Sequence, residues 1–414
     1  MIKYRQPLGV FLLVLLSVSA VAQNNTNSPY TRYGYGQLAD PGSANSRAMG
    51  GIAYGLRDAY QVNFANPAAY TAVDSLTFIF DGGIGLQNTN FSDGVVKKNA
   101  KNSSFDYITM EFRLAKWAAM SVGLIPFSNV GYTMTSIQED PDNVANSSAV
   151  TYSGLGGLHQ IYGGLGVKII KNLSLGVNVS YLWGDVTHAR AQTYPNNSST
   201  TSYQENLTSS VHSYKLDFGA QYTQHFGKKH QATLGVVFSP GHDLNNNSQI
   251  QTIVTSSSVR DTVSTMGMSN TLGAGVAYTY DNRLTVGADV MLQNWDRVTF
   301  MNKKNAFSSR TKISLGAEFL PSMTGRNYLS AVKYRVGLYY SLPYYKIDGI
   351  RAAKEYGVSA GFGLPLSQTR SNVNISAQYV RVQASDSRFL TENTFRICVG
   401  VTFNERWFWK RKVQ

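Results

Sequence analysis

Few groups in this 414-residue chain could do chemistry, and they are scattered. The six histidines are His159, His188, His212, His225, His230 and His242. None shows the His-x-x-x-His spacing that sets two imidazoles on one metal ion. No Gly-x-Ser-x-Gly elbow raises a nucleophilic serine. His159 and His225 could meet Ser or Asp across strands, but a chain this rich in Ser produces such neighbours by chance. Gly154-Leu155-Gly156-Gly157 and Gly163-Gly164-Leu165-Gly166 resemble phosphate loops, yet no helix follows them to aim its N–H groups at an anion. No enzyme, cofactor or metal is therefore expected. What remains are charged residues that share a face: Glu111 with Arg113, Lys215 with Asp217, Lys312 with Glu318, and the cations Lys333, Arg335 and Arg396. Their role depends on the elements that carry them.

Those elements read as strands. Leu284, Val286, Ala288, Val290 and Leu292 line one face, with Thr285, Gly287, Asp289 and Gln293 on the other. Phe395, Ile397, Val399, Val401 and Phe403 repeat the pattern near the C-terminus. Period two with one apolar face means half-buried antiparallel strands. A β-sandwich would charge its outer face. Here the second face is mainly Gly, Ser, Thr and Asn, as in a barrel with a polar interior whose exterior meets lipid. Tyr339-Tyr340, Tyr344-Tyr345, Tyr278 with Tyr280, and Trp407-Phe408-Trp409 are expected to form interfacial girdles. About 14 strands are counted, at roughly 10 residues or more per span. Short connections such as Lys171-Asn172 and Asp281-Asn282 alternate with long ones such as Asn88 to Ser103 and Pro240 to Arg260. The expected fold is all-β: a transmembrane antiparallel up-and-down β-barrel with an N-terminal lumen plug.

Composition sets the compartment. With 43% hydrophobic and 15% charged residues the chain can order, and no apolar run beyond the N-terminus approaches a spanning helix. Lys3 and Arg5, the apolar stretch Leu8 to Val18, and Ala20-Val21-Ala22 form a signal peptide, residues 1–22. Residues 23–74 lack period two and are rich in Gly, Ala, Asn and Tyr, which suits a plug. Residues 75–403 form the barrel and residues 404–414 a basic, aromatic tail. The single cysteine, Cys398, can make no internal disulfide. The net charge of +13 suits an anionic lipid or lipopolysaccharide surface better than nucleic acid, which an exported chain rarely meets. Both termini would be periplasmic, in a bacterial outer membrane.

Within residues 23–74, Ser46-Arg47-Ala48-Met49-Gly50-Gly51-Ile52-Ala53, Asp58 and Asn66-Pro67-Ala68-Ala69 resemble the hatch of the FadL/TodX family of outer-membrane transporters for long-chain fatty acids and hydrocarbons. The resemblance implies a 14-stranded barrel plugged by a hatch that includes Asn66, Pro67 and Ala68. It also implies a third strand kinked inward to open the wall sideways. Pro126 and Phe127, in Val122-Gly123-Leu124-Ile125-Pro126-Phe127, fall there, and Pro126 cannot donate to a ladder. Glu111, Arg113, Lys333, Arg335 and Arg396 would then form a lumen charge network that holds the plug, or a site for an anionic head group. The implied function is passive uptake of small hydrophobic molecules. The long loops are polar, however, and the closing Phe403 to Lys412 is similar to the ends of PorV-like barrels of the Bacteroidetes group. The alternative is a non-transporting barrel subunit of an outer-membrane secretion or assembly complex, with other envelope proteins as partners.

Overall fold

The alternating stretches become long strands. The structure is a computed structural model and describes residues 25–139, 147–195, 202–254, 257–263, 265–322, 327–366, 370–386 and 389–406. The expected signal peptide and the aromatic run 407–409 lie outside the described residues. Fourteen strands close the barrel: β1 (Thr77–Ser92), β2 (Lys97–Ala115), β3 (Ala118–Gln138), β4 (Ser148–Ile170), β5 (Leu173–Thr193), β6 (Tyr203–Phe226), β7 (His230–Ser239), β8 (Thr271–Tyr280), β9 (Leu284–Gln293), β10 (Arg310–Phe319), β11 (Lys333–Leu342), β12 (Ala353–Pro365), β13 (Asn372–Ala384) and β14 (Thr391–Arg406). Each pairs antiparallel with its sequence neighbour, and β14 closes on β1 from Thr391↔Ser92 to Arg406↔Thr77. Closure gives every strand of the ring a partner on both sides, although β2 and β3 share only part of their length.

The alternation is inside-out relative to a soluble core. Leu284, Val286, Val290 and Leu292 are exposed on the wall, as are Leu234, Leu315, Val336 and Val358. Their opposite faces turn inward and bury Ser174, Asn178, Asp289, Ser314 and Arg335. An apolar outer belt around a polar interior is what a lipid-spanning barrel requires.

Two expectations about this belt are corrected. Tyr339 and Tyr344 are buried inside rather than forming a girdle, whereas Tyr278 and Tyr280 are exposed on the wall. Tyr339 turns in because it occupies an inward register position of β11 and donates to Glu355 at 2.6 Å. Asn88 to Ser103 is not a long loop: β1 and β2 run through it to a turn at 93–96. Its Asn, Ser and Lys content looked like loop because these strands continue beyond the apolar belt, where polarity no longer marks a connection.

Strands on one side are far longer than a span needs. β6 has 24 residues and β4 has 23, against roughly 10 for a crossing. Beyond the end of β7, the extension of β6 pairs with a hairpin, Asn246–Val254 and Ser257–Val263, in place of β7. Above β9 and β11 the connections fold over the opening. Tyr35 is packed there against Trp295, Phe300 and Phe307, with ring centroids 5.5, 5.2 and 6.4 Å away. Aperiodic loops gave no sequence signal for this aromatic cap.

Candidate functional site

Residues 25–73 contact inward-facing groups on strands all around the ring, and the contact is backbone against backbone. The tight turn Met49-Gly50-Gly51 has φ of +71° and +86° at its two glycines. A Cβ on Gly337 of β11 would lie 2.0 Å from the Gly50 nitrogen, and one on Gly316 of β10 would lie 2.3 Å from the Met49 oxygen. Only glycine on the wall permits this approach. Gly50 N–H also donates to Ser359 Oγ at 2.9 Å, and Ser359 Oγ donates to the Ala48 carbonyl at 3.0 Å.

Asn66, Pro67 and Ala68 make a second such contact. Asn66 caps the short helix Pro67–Ala72, its side chain accepting from Ala68 N–H at 3.2 Å. Its Nδ2 donates to the Tyr54 carbonyl at 2.8 Å and to that of Ala220 at 3.4 Å. A Cβ on Gly176 of β5 would sit 2.3 Å from the Pro67 carbonyl carbon, and one on Gly219 of β6 would sit 2.2 Å from Asn66 Oδ1. Asn66 therefore meets β6, not Lys333, Arg335 or Arg396. A third contact joins Tyr54 to β7, where a Cβ on Gly235 would lie 1.8 Å from the Tyr54 oxygen. The Ala53 and Tyr54 N–H groups donate to Asp289 Oδ2 at 2.5 and 2.9 Å.

Ion pairs add to these contacts. Asp40 pairs with Arg310 at 2.8 Å and Lys312 at 2.6 Å, Arg47 with Asp106 at 2.8 Å, and Asp58 with Lys333 at 3.2 Å. Burial alone would raise the Asp40 carboxyl, but Lys312 and Arg310 outweigh it and hold it well below the usual carboxylate range. Burial pushes the Arg57 guanidinium down to about 10, against the opposing pull of Glu111.

The five charges expected to form one network do not do so. Lys333 and Arg335 share Glu318, at 3.1 and 2.7 Å. Glu318 thus pairs along β11 and not with Lys312, whose partner Asp40 lies in a segment with no periodicity to reveal it. Arg396 donates to Gln87 at 3.0 Å. Arg113 ties the β2–β3 turn to the end of the N-terminal segment, donating to the carbonyls of Ala115 and Lys116 and to that of Val73. Glu111 is buried, and its Oε2 has no hydrogen-bond partner among the described residues. Lys215 and Asp217 do pair with each other.

The wall parts beside Pro126. The β2–β3 ladder runs from Ala115↔Ala118 only to Ile108↔Leu124. Beyond it β2 stays with β1 and β3 stays with β4, and no β2–β3 pair forms among the described residues. At that height the β3–β4 register slips between Pro126 and Ser128, leaving Phe127 as an unpaired bulge that packs inward near Tyr35. The kink passes into β4 and β5. A Cβ on Gly157 would lie 2.4 Å from the Ser128 oxygen, and one on Gly184 would lie 2.2 Å from the Gly157 oxygen. The freed edge of β3 instead accepts Gln37↔Asn129 and Leu38↔Ser128 from the N-terminal segment.

A cavity of about 170 Å³ adjoins this gap, with Phe105 on the β2 side and Pro126 on the β3 side. It is also lined by Asp40, Arg47, Arg310, Lys312, Glu355 and Arg396. A second, of about 70 Å³, shares Pro41, Gly42 and Ala53 with the first and extends to Glu318 and Thr279.

Barrel closure, fourteen strands and a third strand kinked out of its ladder define a FadL-type β-barrel, and comparison with solved structures agrees. The chain is similar to a FadL homologue of Pseudomonas aeruginosa (TM-score 0.61, 12% identity, 89% of this chain and 99% of that one). It is similar also to the toluene transporter TbuX of Ralstonia pickettii (TM-score 0.60, 12% identity, 89% and 99%) and the toluene transporter TodX of Pseudomonas putida (TM-score 0.57, 15% identity, 90% and 100%). By sequence, the chain belongs to the BamG family, whose profile matches residues 1–414. No curated protein matches it.

Proposed function

We propose that this chain is an outer-membrane barrel that passively admits small hydrophobic molecules, with residues 23–74 as its hatch and the gap between β2 and β3 as a lateral opening. The end with short connections, where β1 begins and β14 ends, would face the periplasm. The observation that carries the reading is the parted wall directly beside the 170 Å³ cavity. The transporters of similar fold supply the substrate class. The charged lining narrows it, because a pure hydrocarbon would displace water from Asp40, Arg310, Lys312 and Arg396 without replacing its hydrogen bonds. An apolar molecule with a polar or anionic end fits this lining better. Uptake of a labelled long-chain fatty acid would be compared in a deletion strain carrying wild type, Asn66→Ala or an empty vector. Loss in the deletion and partial loss in Asn66→Ala are expected; equal uptake in all three would overturn the proposal.

A second reading rests on a different observation. The segment is tied to the wall by the ion-paired groups of Asp40, Arg47, Asp58 and Asp74 and by backbone seated on wall glycines, which favours a lumen that stays closed. The family match is to BamG, and the transporters are alike in fold alone. A non-transporting barrel subunit of an outer-membrane secretion or assembly complex suits both. Affinity purification in mild detergent separates the two, since this reading requires a stoichiometric partner.

A further inference from the structure

One arc of the outer wall carries cations that no carboxylate pairs with among the described residues. On the side away from the short turns, Tyr356, Arg381, Asn393, Asn90 and Asn99 form a continuous cross-strand row over β12, β13, β14, β1 and β2. The next row toward the belt is Val358, Tyr379, Phe395, Asn88 and Lys101. Lys354 and Lys97 stand two residues beyond Tyr356 and Asn99 on the same outward face. Lys97, Lys101, Lys354 and Arg381 are exposed, and none takes part in an ion pair among the described residues. The nearby strand carboxylates turn inward: Glu355 accepts from Tyr339 and Glu392 accepts from Ser28 at 2.5 Å. Asp93 accepts from the N–H groups of Val95 and Val96 in its own turn, and Asp386 lies in the β13–β14 connection.

Between the cations lies an ordered amide patch. Asn99 Nδ2 donates to Asn88 Oδ1 at 2.6 Å and to Asn90 Oδ1 at 2.8 Å, while Tyr379 donates to Asn393 Oδ1 at 3.1 Å. Directly beneath, Val358, Tyr379 and Phe395 begin the lipid-facing belt. At strand spacing the row spans about 19 Å. The extended face of β3–β5 is different: Thr133, Thr135, Thr151, Ser153 and Thr187 point outward with one carboxylate, Asp185.

We propose that this arc, which ends at β2 beside the parted wall, docks the phosphorylated sugar head group of lipopolysaccharide from the outer leaflet. The cations would take the phosphates, the asparagines the sugar hydroxyls, and the aromatic row the start of the acyl chains. It rests on the reading above only in that the long connections face outward.

The test is titration of the detergent-purified full chain with bisphosphorylated lipid A, followed by native mass spectrometry. A variant combining Lys97→Gln, Lys101→Gln, Lys354→Gln and Arg381→Gln is compared with wild type. A cation near an anionic head group contributes about a factor of five, so the apparent affinity should fall at least about tenfold. Dephosphorylated lipid A should bind wild type no better than it binds the variant. A control carrying Lys116→Gln, Lys228→Gln and Lys229→Gln, at the opposite end, should bind as wild type. Should the fourfold variant not fold, Arg381→Gln alone should show a few-fold loss. Unchanged affinity in a folded variant, or an equal loss in the control, would overturn the proposal. Neither outcome depends on uptake or on a partner, so its failure is distinct from that of the proposed function.

Discussion

Glycines at the contact between the N-terminal segment and the wall make a sharp test of how that segment is held. Replacing Gly337 by Ala puts a Cβ 2.0 Å from the Gly50 nitrogen and 2.1 Å from the Met49 carbonyl carbon. Replacing Gly176 puts one 2.3 Å from the Pro67 carbonyl carbon. Both obstacles are backbone, so no rotamer change relieves them and more than an ångström of displacement is needed. Overpacking of this kind costs about 1–3 kcal/mol per site. The two sites share no partners and lie on β11 and β5, so the costs add to about 2–6 kcal/mol. That is comparable to the whole net stability of many domains, about 5–15 kcal/mol, and it falls on the segment rather than on the ladders. The Gly176→Ala, Gly337→Ala double variant should therefore close as a barrel yet release its segment. Planar-bilayer conductance should rise toward that of a chain lacking residues 24–70, and trypsin should gain access to Arg47 and Arg57. Gly163→Ala, where a Cβ meets nothing within 4 Å, is the control. Wild-type conductance and trypsin resistance in a correctly folded double variant would refute the argument that the wall glycines seat the segment.

Two further outcomes follow from the charges. Arg335 is fully buried against Glu318 and Asn374, so Arg335→Ala should cost about 3–5 kcal/mol in denaturant unfolding of the refolded barrel, whereas Lys333→Ala, part-exposed and with Arg335 still on Glu318, should cost about 1 kcal/mol; equal losses would refute this ranking. The folded Asp40 carboxyl titrates below its unfolded value, so its contribution is complete above about pH 4 and fades only as pH falls through the lower folded value. Asp40→Asn, which leaves Arg310 and Lys312 facing each other, should accordingly conduct more than wild type from pH 7 to about pH 4, and the difference should shrink below that as Asp40 of the wild type protonates; a difference that closes near neutrality would contradict the assignment.

The strands were legible because lipid on one side and a polar interior on the other impose an uninterrupted period of two. That signal needs the belt. Where β1 and β2 pass beyond it, Asn88 to Ser103 alternates nothing apolar and passes for a loop. Pro126 marked the break in β3 because a missing N–H is a local fact, readable in one residue. The partners of charges were not readable, since register decides them. Glu318 and Lys312 share a strand face, yet Glu318 reaches across to Lys333 and Arg335 while Asp40 reaches Lys312 from 272 residues away. Tyr344 shows the same limit: a tyrosine at a strand end suits a girdle, but the following loop folds it inward, where it donates to the Gly36 carbonyl at 2.7 Å.

Glycine on a lumen-facing strand reads in the sequence as room for a plug or a bend, and the contacts give that room its particular partners. A side-chain interface can loosen gradually, because rotamers yield a few tenths of an ångström at a time. Backbone resting on Gly176, Gly235, Gly316 and Gly337 has no such freedom, so these contacts are either kept or lost as units. The two cavities, by contrast, meet only at Pro41, Gly42 and Ala53, and Pro41 and Gly42 rest on no wall glycine. Movement of the stretch around Asp40 to Gly42 would join the cavities while Asn66 to Ala68 stayed on β5 and β6. An opening there would be governed by the Asp40 ion pairs rather than by release of the whole segment. Small-molecule passage and retention of the segment are therefore compatible in this architecture, and the Asp40→Asn variant, with its trypsin resistance at Arg57 intact, is the form in which the two would be seen together.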